Sequence, residues 1–162
     1  MVERKFLAHY IDASFGGSVV DYQRIGKDIE EYNENLNPQV DAKRNILGEN
    51  SVRVHGYQPQ SEVSPYYIDY EDTLSEKLMD IINNRRTGDD LNTTVVDVLL
   101  KPGATSDAPP TVVWAYREDC VVVPGSSGGN TSGVQAPFTI YKTGNRTKGT
   151  FDIATKKFTA GN

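Results

Sequence analysis

The residues that could perform chemistry lack the neighbouring residues that such chemistry requires. The glycine-rich segment 125–133 is the one stretch that suggests a phosphate-binding loop. It lacks the Gly-Lys-Ser/Thr ending that places a lysine on the phosphates, and no helical pattern follows it. The run Gly125-Ser126-Ser127-Gly128-Gly129 fits the letters Gly-x-Ser-x-Gly, but the helix that follows a nucleophile elbow is not predicted here and neither histidine is expected nearby, so a serine nucleophile has no support either. We expect a flexible loop, and we expect the chain not to be an enzyme.

Metal and thiol chemistry is equally short of ligands. Cys120 is the only cysteine, which excludes an intramolecular disulfide and a thiolate metal cluster. It precedes three valines, a context typical of a buried, inert thiol. His9 and His55 are the only histidines, too few for a histidine-rich metal site. We therefore expect neither a metal nor another cofactor.

Acidic pairs occur at residues 30–31, 89–90 and 118–119. A pair of carboxylates could serve a glycosidase, but adjacent acids on a strand point to opposite faces of the sheet. None of the pairs lies in an aromatic, pocket-forming context, so we interpret each as solvated surface charge.

Composition bounds the class of protein. A chain of 162 residues with a charged fraction of 24% fits one domain spanning residues 1–162, without a membrane-spanning stretch. The first residues do not form a secretory signal, which predicts a protein that is made in a cytoplasm and has no membrane partner. The net charge of −5 argues against gripping nucleic acid, because affinity for phosphates comes mostly from Lys and Arg.

A long β-hairpin is predicted at residues 22–55, with arms at 22–33 and 40–55 around the turn formers Asn35-Leu36-Asn37-Pro38. The first arm is rich in acids, at Asp28, Glu30, Glu31 and Glu34. A hairpin with so little apolar surface is marginal alone. We expect copies of the same chain to complete it.

One helix is predicted at about residues 74–86, with Thr73 and Glu76 as a capping box and Gly88 as the stop. Its apolar residues recur on one face, so it should cover one face of a sheet. These residues are Leu74, Leu78, Ile81 and Ile82. Arg85 and Arg86 suit the negative end of the helix dipole.

The remaining segments favour strands and turns. Residues 1–21 form an N-terminal arm with a first strand at 5–11, and residues 92–153 supply the rest, with the loop at 125–133. The expected later elements are a strand at 93–100, a strand at 111–123, a hairpin of 138–142 and 146–153 around 143–145, and a last contact at Phe158. The order predicts an α+β, mainly β fold: a small sandwich or partly open barrel with one packed helix.

Four tyrosines lie between the hairpin and the helix: Tyr57, Tyr66, Tyr67 and Tyr70. Tyrosines in such a seam usually pack their rings and leave the hydroxyls outward, which is the interpretation we favour. A β-sandwich module that binds a sugar or peptide on this cluster is the alternative from another functional class.

The order of several short motifs resembles tail tube proteins of long-tailed bacteriophages. The resemblance runs from about Ile25 to Asp152. The motifs are Lys43-Arg44-Asn45-Ile46-Leu47-Gly48-Glu49, Gly56-Tyr57-Gln58-Pro59, Pro65-Tyr66-Tyr67, the amphipathic helix, Gly128-Gly129-Asn130-Thr131-Ser132-Gly133, Pro137 and Gly144-Asn145-Arg146-Thr147-Lys148-Gly149-Thr150-Phe151.

The resemblance implies a virion subunit that closes into hexameric rings, which stack into a tube with a shared β-barrel lumen. Its partners would be further copies, a tape-measure protein and tail completion proteins, and DNA would pass through without specific binding. Carboxylates on the wall would repel phosphates, and the candidates are Asp28, Glu30, Glu31, Glu34 and Asp41. The candidates for ring stacking are Gly128, Gly129, Asn130, Tyr66 and Tyr67.

Two features stay open at this point. The sequence does not decide which face of the hairpin looks into the lumen. It also does not separate a tail tube from the inner tube of a contractile tail, a tailocin or a type VI secretion system.

Overall fold

The computed structural model describes residues 1–161. The fold is mainly β, with one α-helix and a sheet curled into a half-barrel. The elements in chain order are β1 (Leu7–Asp12), β2 (Tyr22–Ile25), β3 (Glu34–Asn35), β4 (Gln39–Arg44), β5 (Asn50–Gly56), β6 (Gln60–Val63), α1 (Thr73–Asn83), β7 (Asn92–Lys101), β8 (Thr111–Pro124), β9 (Gly128–Asn130), β10 (Gly133–Gln135), β11 (Phe138–Asp152) and β12 (Lys157–Ala160). Short 3₁₀ turns precede β1 and β7.

The main sheet has the strand order β2-β1-β7-β8-β11-β6-β3, with β12 also pairing with β11. All of its pairs are antiparallel. Two smaller sheets, β4–β5 and β9–β10, stand apart from it. The predicted α+β, mainly β class is confirmed.

The main sheet is buried on both faces over part of its area. Val95 and Val96 are neighbours on β7 and lie in different core clusters, because successive side chains point to opposite faces. One cluster packs Val122, Phe138 and Ile140 beneath α1, and the other surrounds Phe151. Cys120 lies in the first cluster, as predicted, and burial raises the pKa of its thiol to about 12.

The helix packs as predicted, but its ends differ. Asp72 is the N-cap and accepts a hydrogen bond from the backbone of Leu74, so the predicted capping box of Thr73 and Glu76 is wrong. The helix stops at Asn83 before Gly88, because Arg85 takes a left-handed conformation with φ of 50°. Arg86 then pairs with Asp80, at 2.8 Å between Nε and Oδ2.

The predicted long hairpin over residues 22–55 is wrong. Tyr22–Ile25 pairs with β1, and a turn from Gly26 to Ile29, with Asp28 at φ of 62°, ends that strand. The hairpin that does form is β4–β5, which turns at 45–49. The expected turn at 35–38 carries the chain from β3 into β4 without reversing it onto β2.

Two later segments also differ. The predicted hairpin at 138–153 is one long strand, β11, because the extended β8 pairs along it and the irregular stretch around Gly144 and Asn145 is absorbed as bulges. The turn lies further on and leads to β12, whose Phe158 packs on the core. The glycine-rich segment 125–133 contains β9 and begins the β9–β10 hairpin. The strands predicted at 5–11, 93–100 and 111–123 are confirmed as β1, β7 and β8.

The helix seam provides the first prediction. Leu78 is fully buried between α1 and the sheet, so Leu78→Ala should cost about 2 to 5 kcal/mol of unfolding free energy through the cavity it leaves. Urea denaturation followed by circular dichroism measures the loss. Lys77→Ala, one residue away on the exposed side of the helix, is the control and should change the unfolding free energy by less than about 0.5 kcal/mol. Equal effects of the two substitutions would contradict the packing described here.

Candidate assembly surface

The hairpin β4–β5, which we call the arm, comprises residues 39–56 and pairs with no other strand among residues 1–161. Its turn is built by Asn45, whose side-chain oxygen accepts hydrogen bonds from the backbone of Leu47 and Glu49, each at 2.9 Å. Gly48 supplies a left-handed residue with φ of 82°. This turn chemistry explains why the chain reverses here and not at residues 35–38.

The arm has one apolar face and one polar face. Val40 lies opposite Val54, and Ala42 lies opposite Val52, so these four side chains share one face. The register puts Asp41 opposite Arg53 and Lys43 opposite Ser51 on the other face. Arg44 lies on the same face as these four residues, nearer the tip.

Among the described residues, nothing packs on the apolar face of the arm. Val40, Val52 and Val54 are 54%, 65% and 51% exposed, and Ile46 and Leu47 at the tip are more exposed still. Fully burying a valine is worth roughly 1.5 to 3 kcal/mol, and an isolated two-stranded hairpin is marginally stable in water. The arm therefore has an apolar surface that the rest of residues 1–161 does not cover.

The root of the arm is fastened to the main sheet. Gln58 donates its backbone N–H to Leu36, and Asn37 donates its side-chain amide to Gln58. Lys142 on β11 donates its backbone N–H to Pro59 at 3.0 Å. The two chain segments that enter and leave the arm are thus held together at a fixed place on the sheet.

A buried ionic network lies behind this root. The Lys142 ammonium, whose side chain is 2% exposed, contacts Asp97 at 2.6 Å and Glu34 at 3.1 Å. Burial alone would raise the pKa of the Asp97 carboxyl, but His9 and Lys142 outweigh it and lower that pKa to about 2. Burial would likewise lower the pKa of Lys142, but its two carboxylate partners raise it. The network ties β11 and β7 to β3 at the base of the arm.

The network continues through His9 to the N-terminal segment. Arg4 lies 2.9 Å from Nε2 of His9, and Nδ1 of His9 lies 2.6 Å from Asp97. A guanidinium only donates hydrogen bonds, so Nε2 accepts and Nδ1 carries the proton that it donates to Asp97. The imidazole ring packs on Tyr32 with centroids 4.3 Å apart.

The five predicted lumen acids occupy four different settings. Glu34 is paired with the buried Lys142, and Asp41 lies on the polar face of the arm beside Lys43. Asp28 and Glu30 line an open groove, and Glu31 accepts a hydrogen bond from Asn33. The acids therefore do not form one row along a strand.

The predicted stacking residues separate into two groups. Tyr66 packs edge-on against the buried Phe138, and its hydroxyl donates to Asp72. Tyr67 forms a bridge with Gln135 and so attaches the β9–β10 hairpin, which holds Gly128, Gly129 and Asn130. Tyr67 also lines the groove that contains Asp28 and Glu30, so members of the two predicted sets meet there.

The tyrosine cluster does not form one platform. Tyr57 lines a different cleft, together with Leu36 at the root of the arm, and Tyr70 is fully exposed. Seam packing is therefore correct for the ring of Tyr66, although its hydroxyl is hydrogen-bonded to Asp72 rather than turned outward, and it is wrong for Tyr57 and Tyr70. Glu118, expected on the surface, is buried and paired with Arg146 at 3.1 Å.

The sequence interpretation missed the ionic network. His9, Asp97, Lys142 and Glu34 come from four segments far apart in the chain, and the pairings arise only from the sheet order. The one local signal is a charged residue inside an otherwise apolar strand, which Asp97 and Lys142 both provide.

The chain matches no known family model and is similar to no curated protein. Within residues 1–161, no helix has the length and apolar character needed to cross a membrane.

Acid unfolding tests the network. The pKa of Asp97 is lower in the folded chain than in the unfolded chain, so its contribution is present above about pH 4 and is lost as the pH falls toward about 2. Asp97→Asn should remove this acid-sensitive part of the stability, about 2 kcal/mol by linkage, and should also destabilise the chain at pH 7 because Lys142 loses a buried partner. Urea denaturation at several pH values measures both effects. Asp107→Asn, at an exposed site, is the control. Parallel stability–pH curves for Asp97→Asn and the wild type would contradict the role of the network.

Proposed function

We propose that the chain is a structural subunit of a phage tail tube, in which copies close into hexameric rings and the rings stack into a conduit for DNA. The observation that carries the proposal is the arm, because its apolar face needs a partner and the part of the chain that the structure describes supplies none. A self-assembling subunit supplies that partner through another copy.

The shape of the main sheet supports the same proposal. The sheet is a curled half-barrel with two edges, and the last strand at one edge, β3, is only two residues long. Beyond β3, part of β6 presents unpaired backbone groups. Exposed edges invite pairing with another chain, and a closed ring removes them.

The charges bear on how DNA would pass. A wall of carboxylates repels phosphates over about a Debye length, roughly 8 Å at physiological salt. Glu34 contributes less to such a wall than an exposed acid does, because its carboxylate lies 3.1 Å from the Lys142 ammonium, which it shares with Asp97. The exposed acids Asp28, Glu30 and Glu31 carry this part of the proposal.

The order of short motifs described above provides a further, independent reason for a tail tube. The first motif in that order, Lys43 to Glu49, forms the tip of the arm. The sequence resemblance and the unpartnered surface therefore point to the same segment.

The arm provides the assembly prediction. Val52→Asp places a charge on the apolar face and should raise the concentration for half-maximal assembly at least about tenfold, because the lost burial is worth 1.5 kcal/mol or more. Sedimentation velocity and negative-stain electron microscopy over a concentration series measure assembly. Ser51→Asp adds the same charge to the opposite face and is the matched control.

The outcomes separate clearly. Rings or tubes from the wild type and from Ser51→Asp, with single particles from Val52→Asp, support the proposal. A wild-type chain that stays monomeric at millimolar concentration, or a Val52→Asp variant that assembles as the wild type does, would count against it. Circular dichroism of each variant verifies that the main sheet is folded.

A further inference from the structure

The main sheet has a second apolar surface that is partly exposed, with Val121 and Thr139 half-buried, and we call it the open face. It consists of Val121, Val123, Thr139 and Tyr141 on β8 and β11, with Glu62 of β6 at its margin. The register places Thr139 opposite both Val123 and Glu62, and Tyr141 opposite Val121, so these side chains share one face of the sheet. The reverse side of the same strands is the core beneath α1. Val123 and Tyr141 are 37% and 42% exposed.

We propose that the apolar face of the arm of one copy packs on the open face of the next copy. This inference rests on the proposed function and names the surface that receives the arm. Both surfaces are pleated and carry short rows of branched or aromatic side chains, which suits the packing of one sheet on another at about 10 Å.

The reach of the arm allows the contact to be made between copies. Its longer strand has seven residues, which at about 3.3 Å each spans roughly 20 Å from the root. Within residues 1–161 the arm forms a separate sheet, and Val123 and Tyr141 of the open face remain partly exposed, so the arm does not cover the open face of its own chain.

Charge at the margins of the two surfaces is complementary. Arg44 lies on the apolar face of the arm near its tip, and Glu62 lies at the margin of the open face. Neither side chain has a charged partner within 4 Å among residues 1–161. Arg44 only donates to the carbonyl of Gly48, at 3.3 Å. The contact would bring these two residues together.

The contact is heterologous, because the surface that gives and the surface that receives are different parts of the chain. Heterologous contacts generate rings when the rotation closes and filaments when it does not. Closed rings and open filaments are both compatible with a tube of stacked rings, whereas a symmetric dimer is not.

Cysteine cross-linking tests which surfaces meet. The buried Cys120 leaves introduced thiols as the reactive ones. An equimolar mixture of Val52→Cys and Val123→Cys chains should form a disulfide-linked dimer on mild oxidation at assembling concentration, as seen on a non-reducing gel. Ser51→Cys mixed with Val123→Cys places the thiol on the opposite face of the arm and should form at least about fivefold less dimer.

Charge reversal gives a second, independent measurement. Arg44→Glu and Glu62→Arg should each raise the half-maximal assembly concentration about fivefold, consistent with an ion pair near the upper end of the surface range, and the double variant should return close to the wild type. Arg53→Glu, on the polar face of the arm, is the control and should not be rescued by Glu62→Arg.

The two proposals fail in different ways. The wild type could form tubes while the mixture of Val52→Cys and Val123→Cys chains forms no disulfide-linked dimer and the double charge variant shows no rescue. That result would overturn this contact and leave the tube function standing. A disulfide-linked dimer in a sample of Val52→Cys alone would likewise overturn it, in favour of contact between arms. A wild-type chain that forms no assembly at any concentration would overturn both.

Discussion

The central feature of the structure is the apolar face of the arm, on which no second layer packs anywhere in residues 1–161. The arm has only two strands, and one of its faces carries valines that are exposed to water. Burying three such valines is worth several kcal/mol, which is comparable with the 5 to 15 kcal/mol that stabilises a typical domain. Under the proposed function, assembly with other copies would cover this surface.

The rest of the molecule holds this surface in place. Lys142 binds Asp97 in the middle of the sheet and Glu34 at the base of the arm, while its backbone N–H binds Pro59 beyond the arm. A buried ion pair contributes little net stability but strongly disfavours arrangements that would leave a charge unpaired. The network therefore fixes where the arm leaves the sheet more than it adds to the stability of the sheet.

Local patterns in the sequence predicted much of the fold. β7 follows from its alternation of branched residues, and α1 follows from the spacing of Leu74, Leu78 and Ile81. The error in the hairpin arose because Asn45 and Gly48 make the turn through side-chain hydrogen bonds and a left-handed glycine, which outweigh the Asn-Pro signal at 37–38. The ionic network could not be predicted, because partners 88 and 45 residues apart meet only once the strand order is known. The amphipathic nature of the arm depends in the same way on its register, and a shift of one residue would reverse it.

The most direct test of the central claim is hydrogen exchange of the backbone amides of residues 39–56 as a function of protein concentration. A solitary hairpin opens readily, whereas a hairpin covered by a neighbouring chain is protected. We predict fast exchange in the dilute chain and strong protection of these amides once rings or tubes form. Exchange that is already slow in the dilute chain, or that stays fast at high concentration, would contradict the account.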